Sequence, residues 1–450
     1  MRDRIKLIQI MAIKDTLKNV ANNKKQKKVG ENILALTLMN GVNLLAPFVL
    51  IPYLIRVLGA EYYGIYIFAW TFIGYFLLVV NYGYDFSATK DISIHKGDNQ
   101  YISKLFYTVT ASRLIFALAS LMVLLLCVAI VPQFNKHSIL ILCGVGVFIG
   151  QSFYPTWIFQ GMEEMKFITI ITLVTRIIPI VFIFIFVKGI SDYVYITLFQ
   201  SIGYIVGGLG AFYLAIKRYK LVLYIPKMKE IFFEIKKGWF LFLSTIGISM
   251  YRETNVLILG FMTNNYVLVG YYGLADKFLR LFQMIASPLS QALFPHFGRN
   301  FAENKKLAFQ QFMKASKYYT VFLALMAIIV FCTCDEMIRV YLGQDFPQIA
   351  TDIRILTIVI VVGGLNYLFG VVGLVNIGRE KYFTIFVFIA GLINILASML
   401  LAKSLGDMGS SIALSSAESI LFMLIIIQFN CEKDRFTRTL KSEGIIKNAI

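Results

Sequence analysis

The sequence has no polar stretch long enough to fold as a soluble catalytic domain. Charge is scarce: only 15% of the 450 residues are charged and 58% are hydrophobic, with a mean hydropathy of +0.73. A soluble globular chain is nearer half apolar and a quarter charged, so one aqueous core of this size would leave much apolar surface in water. Metal chemistry is also poorly supplied. The five cysteines (Cys127, Cys143, Cys332, Cys334, Cys431) are an odd number, and the Cys332–Cys334 spacing fits no common zinc pattern. They read as small buried hydrophobes. The three histidines (His95, His137, His296) lie near polar edges, and none stands at a metal-ligand spacing or beside an evident nucleophile. There is no Walker loop and so no ATPase in the chain. No enzymatic activity, cofactor or metal is expected.

What is abundant is hydrophobic runs of membrane-spanning length, roughly 20 residues each. Twelve are read, near 30–55, 62–83, 104–130, 138–160, 167–187, 192–216, 238–262, 266–296, 317–341, 350–376, 382–402 and 409–430. The expected fold is therefore all-α, a polytopic membrane protein. Lysine and arginine give its orientation. Nine of them fall in residues 1–29 and seven in 217–237. The loops on the opposite side hold only Arg56, Lys136, Lys188 and Lys403. By the positive-inside rule both termini are cytoplasmic. The basic first residues lack a small-residue cleavage site and read as a cytoplasmic tail. The net charge of +18 thus reflects membrane topology and does not point to nucleic acid.

The expected organisation is a basic tail (1–29), a six-helix lobe (30–216), an amphipathic cytoplasmic linker (217–237), a second six-helix lobe (238–430) and a C-terminal tail (431–450). In the linker, Leu221, Val222, Leu223, Ile231, Phe232 and Phe233 alternate with lysines, which suits a segment lying on an anionic leaflet. The lobes carry traces of a repeat. Leu58–Gly59 and Tyr62–Tyr63–Gly64 correspond to Leu259–Gly260 and Tyr271–Tyr272–Gly273. QGMEEMKF from Gln160 corresponds to NIGREKYF from Asn376. Parallel halves of this kind place the substrate between them, near the bilayer midplane.

Charges inside spans are costly, roughly 2.5–3.5 kcal/mol each on insertion scales, and so mark function. They are Arg113, Arg176, Arg252, Glu253, Asp276, Lys277, Arg280 and Glu418, five cations against three anions. Asp276 and Arg280, four apart, can pair on one helix face. Arg113 and Arg176 have no acid within four residues in their own spans. Two such guanidiniums suit a pyrophosphate, because the planar fork donates bidentately to phosphate oxygens. The competing expectation is that they pair with Glu418 or Glu253 across the bundle and only fix packing. Asp335, Glu336, Arg339, Asp352 and Arg354 read as a solvated outer rim. Pro47, Pro52, Pro155, Pro179, Pro288 and Pro295 interrupt apolar runs and are hinge candidates, or else static kinks. Tyr75, Trp157 and Tyr251 are candidates for stacking on sugar rings.

Three stretches resemble a known family: PYLIRVLGAEYYGIYIFAWTFIGYFLLVVNYGYDFSATKDIS from Pro52, TWIFQGMEEMK from Thr156, and GYYGLADKFLRLFQMIASPLSQALFPHFGR from Gly270. They are similar to the O-antigen (Wzx-type) flippases of the multidrug/oligosaccharidyl-lipid/polysaccharide exporter superfamily, over essentially the whole chain. The resemblance implies two six-helix lobes around a central cationic cavity, rocking between inward- and outward-open states in the inner membrane. It implies an undecaprenyl-pyrophosphate-linked oligosaccharide as substrate, coupling to protons or sodium, and as partners membrane lipids, an O-antigen polymerase and a chain-length regulator. By position, the family's intramembrane arginines and acids correspond in kind to Arg113, Arg176, Arg252, Asp276 and Arg280; with the charges read above, Arg113, Arg176, Arg252, Lys277 and Arg280 are expected to bind substrate, and Glu253, Asp276 and Glu418 to couple ions. The lipid II flippases of the superfamily carry charges inside the first helix, where this chain has only Asn40 and Asn43. The rival readings are a drug/cation antiporter, which would favour excess acids in its cavity, and a membrane-embedded glycan polymerase, which would need a substantial catalytic loop.

Overall fold

A computed structural model describes residues 2–442, with side chains placed for most of residues 31–435. Among the described residues all regular structure is helical. Nine segments are long and apolar enough to cross a membrane, and the first of them, Thr37–Ile94, folds back on itself. It belongs to helix α1 (Arg2–Asn81), which breaks at Gly59, with φ 75° and ψ 171°. Side chains other than hydrogen rarely tolerate that conformation, so this glycine is what lets one apolar run become two antiparallel spans.

The N-terminal lobe continues with α2 (Tyr84–Ile94) and α3 (Asn99–Ile130). Its fourth span is assembled from the short helices Ser138–Cys143, Gly146–Ser152 and Thr156–Gly161. Helices α4 (Met165–Phe186) and α5 (Val194–Tyr219) complete it. After Lys220 the chain runs without helix, and α6 (Met228–Thr263) begins inside the stretch expected to be a linker. Helices α7 (Tyr266–Glu303), α8 (Lys305–Leu342), α9 (Pro347–Asn366), α10 (Glu380–Leu405) and α11 (Asp407–Ser442) follow. A π-helix over Tyr367–Val375 extends α9. With α6 and α7, which carry most of the intramembrane charge, the spans number twelve in two lobes of six.

Polar residues in the connections start several helices. Asp98 accepts from the Tyr101 N–H at 2.9 Å, Asn265 from Val267 at 3.1 Å and Asn304 from Leu307 at 3.1 Å, each satisfying a donor that the first turn leaves free. Outward faces are apolar and exposed, as at Leu118, Ile185, Leu325 and Leu400. In water such surface would be a liability; against lipid tails it is the appropriate solvent contact. The faces turned inward form one large core through both lobes and a second core inside the N-terminal lobe around Trp157, Phe106 and Tyr84.

The side bearing the N-terminus and most lysines is termed the basic side, and the opposite one the far side. On the far side the lobes are in direct contact. A Cβ on Gly64 of α1 would lie 1.7 Å from the Tyr266 carbonyl oxygen and 2.8 Å from the Gly270 nitrogen. Phe68, Phe134, Phe261 and Tyr266 close the same seam with ring centroids 5.3–5.5 Å apart, and Gln133 donates to Asn264 at 3.3 Å. The glycines of the two repeated Tyr–Tyr–Gly segments thus lie along the line where the lobes meet. His137, edge-on to Tyr266 at 5.0 Å, has its imidazole pushed down to about 4 by burial and, secondarily, by Lys136. It is neutral at the seam near pH 7. On the basic side the start of α6 reaches over the N-terminal lobe, where Lys237 pairs with Asp91. Nearby Glu230 meets Lys104 Nζ at 2.6 Å. Its carboxyl is drawn down to about 2 by that lysine, then by the Lys227 N–H and the Tyr224 hydroxyl.

Candidate functional site

Between the lobes lies a cavity of about 610 Å³, lined by Pro47, Leu54, Tyr66, Trp70, Arg176 and Lys277 among others. Its walls are mostly apolar, and two cations enter it from opposite lobes. Arg176 projects from α4, donates through Nε to Asn43 Oδ1 at 3.0 Å and lies over the Tyr204 ring at 5.7 Å. Lys277 projects from α7. Among the described residues neither cation has a carboxylate partner, and Lys277 has no hydrogen-bond partner at all. Among the described residues only the Nε of Arg176 is hydrogen-bonded, which leaves its two terminal nitrogens without a protein acceptor. An uncompensated charge in a low-dielectric cleft attracts counter-charge strongly, and the two charged groups lining this cavity are both cations.

The neighbouring face of α7 is neutralised. Arg280 donates to Asp276 at 2.7 Å and meets Glu253 Oε1 at 3.4 Å. Successive residues of a helix point about 100° apart, which is why Lys277 faces the central cavity while Asp276 and Arg280 line a smaller one. That second cavity, about 260 Å³, also includes Gln283, Val359 and Glu418. Glu418 accepts from Asn366 Nδ2 at 2.5 Å. The three acids expected to couple ions therefore gather around Arg280 and inside the C-terminal lobe, next to the cationic cavity but outside its lining.

Arg113 does not stand beside Arg176 as an open guanidinium. It is fully buried in the N-terminal lobe, with Nη2 on Asp85 Oδ1 at 3.0 Å and Nη1 on the Tyr154 carbonyl at 2.8 Å. Thr156 Oγ1 donates to the same Asp85 oxygen at 2.5 Å. The partner is neither Glu418 nor Glu253 but an acid 28 residues away in sequence. Tyr82 (φ 48°) and Gly83 (φ 75°) make a left-handed turn, and that turn places Asp85 in the first turn of α2, facing α3. Arg113 braces α2, α3 and the break at Pro155 and lies apart from the lining of the central cavity. Replacing Asp85 by alanine should leave its donors unsatisfied and cost about 1–3 kcal/mol. The measurement is the apparent melting temperature of the detergent-solubilised protein, which should fall together with the yield.

The remaining candidates separate clearly. The side chains of Arg252 and Tyr251 lie outside the described residues. Pro47 and Pro52 sit within α1, Pro179 within α4, and Pro288 and Pro295 within α7. In α1 the backbone departs from helix at Gly59, not at a proline. Pro179 seats against Gly203 of α5, whose Cβ would lie 2.5 Å from the proline ring. Trp157 is buried in the N-terminal core, outside the lining of the central cavity, and Tyr75 bonds Thr254 Oγ1 at 2.7 Å. Of the expected outer rim, Arg354 pairs with Asp335 and Arg339 with Glu336. Asp352 departs from it, being fully buried. Gln200 and Trp70 line the cavity and Asn43 holds Arg176 beside it, none of which the sequence singled out for this site. The two asparagines noted in the first span were the available signal for Asn43.

Comparison with known proteins places this architecture. Residues 29–301, more than half of the chain, match the family described as polysaccharide biosynthesis protein. The chain is 24% identical to the "Putative O-antigen transporter" of Escherichia coli strain K12 over 90% of its length and 97% of that protein. It is 27% identical to the protein of the same name from Shigella dysenteriae, over 88% and 98%. Among solved structures it resembles the lipid II flippase MurJ in an inward closed conformation, with a TM-score of 0.69, 15% identity and coverage of 88% and 87%. It also resembles an inward-facing multidrug resistance MATE family transporter of the MOP superfamily, with a TM-score of 0.65, 14% identity and coverage of 88% and 98%. With the fold of these transporters and a family match over most of its N-terminal two thirds, this chain is a multi-pass membrane protein belonging to the polysaccharide biosynthesis protein family.

Proposed function

We propose that the protein is a flippase that moves an undecaprenyl-pyrophosphate-linked O-antigen oligosaccharide from the cytoplasmic to the periplasmic leaflet of the inner membrane. The observation that carries this reading is the pair Arg176 and Lys277, two cations without acid partners among the described residues, facing one cavity from opposite lobes. A diphosphate is the common element of every such substrate whatever its sugars. Arg176 offers a planar two-nitrogen donor and Lys277 a compact point charge. Bound between them, the diphosphate would draw the lobes together on the ligand while the polyprenyl chain stays in lipid. The aromatic and amide groups around it, Tyr66, Trp70 and Gln200, suit the first sugar. A cation antiporter would want the opposite sign in this cavity.

In this reading the basic side is cytoplasmic, as lysine and arginine distribution favours, and both termini lie there. The cycle begins with the far seam shut and the cavity loading from the cytoplasmic leaflet. It proceeds by rocking of the lobes, driven by an ion gradient. The test is reconstitution in vesicles with a defined polyprenyl-pyrophosphate sugar and a membrane-impermeant enzyme that modifies only outer-leaflet glycan. Time-dependent modification is expected with the protein and not with empty vesicles. Equal rates with the polyprenol-linked sugar lacking the diphosphate would overturn the assignment.

A further inference from the structure

At the far end of the C-terminal lobe two acidic side chains meet out of contact with solvent. Asp352, in the second turn of α9, is 0% exposed, and Asp407 opens α11 and is 6% exposed. Ser411 Oγ donates to Asp352 Oδ1 at 2.9 Å. The other Asp352 oxygen has no donor among the described residues, and neither has Asp407 Oδ2. Ser411 stands one turn beyond Asp407 on the same face of α11, so its bond to Asp352 brings the two carboxyl groups to the same point of the helix contact. A hydrogen bond between two carboxyls exists only when one of them carries a proton, since ionised carboxylates are acceptors alone. Two bare carboxylates facing one another in a dry site would repel strongly. The ligand that resolves this arrangement is a single proton. Asp407 stands in the first turn of α11, where the helix N-terminus favours a negative charge, whereas Asp352 is 0% exposed and receives only the Ser411 hydroxyl, so the proton belongs on Asp352.

The pair is wired to the seam between the lobes. Gly406, immediately before Asp407, packs on Leu268 of α7, to which a Cβ would come within 2.9 Å. Leu268 lies between Tyr266 and Gly270, the two residues that receive Gly64 of α1. A second route is polar. The Ser410 carbonyl accepts from Asn255 Nδ2 at 3.3 Å, and the same amide donates to the Tyr272 hydroxyl at 3.1 Å and is bonded by Asn394 Nδ2 at 2.9 Å. Tyr271 and Tyr272 of α7 are the titratable groups whose fields meet those of the pair. Arg354, two residues along α9, is turned to Asp335 of α8. Helices α6 and α10 contribute the amides of Asn255 and Asn394, and Lys403 at the end of α10 is exposed.

We infer that Asp352 and Asp407 form a one-proton binding site whose occupancy accompanies closure of the far side. Losing the proton leaves two facing negative charges. Their repulsion is relieved when α7 moves off α11 and water enters, which is also the motion that separates α7 from α1. The site itself stands apart from substrate identity; only its service as the coupling site rests on the flippase reading.

The experiment uses the full chain in lipid nanodiscs, followed by infrared difference spectroscopy across a pH titration. The wild-type protein should show a deuterium-sensitive C=O stretch of a protonated carboxyl that disappears as pH rises. Asp352→Asn should abolish that band, and Asp407→Asn should shift its midpoint. Both variants are scored only as the monodisperse peak on gel filtration. A band unchanged in both variants would overturn the site. So would release of one proton per chain on adding sodium at fixed pH, which would make it a metal-cation site. A chain that shows the band but translocates no diphosphate-linked sugar would keep this site and remove the flippase reading. Translocation with no titrating band would do the reverse.

Discussion

Replacing both Arg176 and Lys277 with alanine should all but abolish binding of a diphosphate-linked substrate while leaving the protein folded in the membrane. Each hydrogen bond to a charged group contributes about 1.5–3 kcal/mol, so losing both cations should weaken binding roughly 10²–10⁴-fold. Neither residue is tied into an ion pair, among the described residues, that its removal would leave half broken, which is why stability should hold. The single changes divide the contributions. Arg176→Lys keeps the charge and loses the planar fork, so it should recover only part of the affinity lost in Arg176→Ala. The measurement is equilibrium binding of a fluorescent polyprenyl-pyrophosphate sugar to protein in nanodiscs, with Lys403→Ala, an exposed lysine at the end of α10, as the comparison. Affinity in the double variant within twofold of the parent would sink the diphosphate site.

The second large effect is expected at Gly64. Alanine there would place a methyl 1.7 Å from the Tyr266 carbonyl oxygen and 2.8 Å from the Gly270 nitrogen. Both neighbours are backbone, so no side chain can rotate aside, and α1 must move off α7. Overpacking of this kind costs about 1–3 kcal/mol. Because the strain exists only while the far seam is shut, that energy shifts the closed-to-open ratio by roughly fivefold to over a hundredfold. Gly64→Leu should be more severe still. Gln133 and Asn264, which bond across the seam at 3.3 Å, provide the reporter. Cysteines at those two positions, in a background with the five native cysteines replaced, should cross-link efficiently through a short bifunctional reagent in the parent and poorly with Gly64→Ala. Equal cross-linking would mean that the seam is not held by this glycine contact.

Span number and charge depth were legible in the sequence because the bilayer imposes one rule on every segment: about 20 apolar residues, with any charge a conspicuous exception. Arg176, Lys277 and Arg280 stood out for that reason, and the cavity does contain the first two. What remained hidden was pairing between distant segments. Asp85 looked like part of a polar connection, and only the left-handed turn at Tyr82 and Gly83 brings it onto Arg113. Asp352 read as part of a solvated rim and Asp407, 55 positions on, drew no reading, since nothing local announces that α9 and α11 pack their ends together and exclude water. The competing expectation for the arginines was half right in kind: one of them is structural, but its partner comes from its own lobe. Local pattern identifies which residues are costly, and tertiary packing decides what offsets the cost.

The brace around Arg113 has a consequence for genetics. A random screen that scores only loss of export would place Asp85, Arg113 and Thr156 alongside Arg176 and Lys277 as a single phenotype. The first three would fail because chains misassemble and are degraded, the last two because intact chains cannot hold cargo. Immunoblots of each mutant membrane would split the collection, and second-site suppressors should arise readily for the assembly class and scarcely at all for the cargo class.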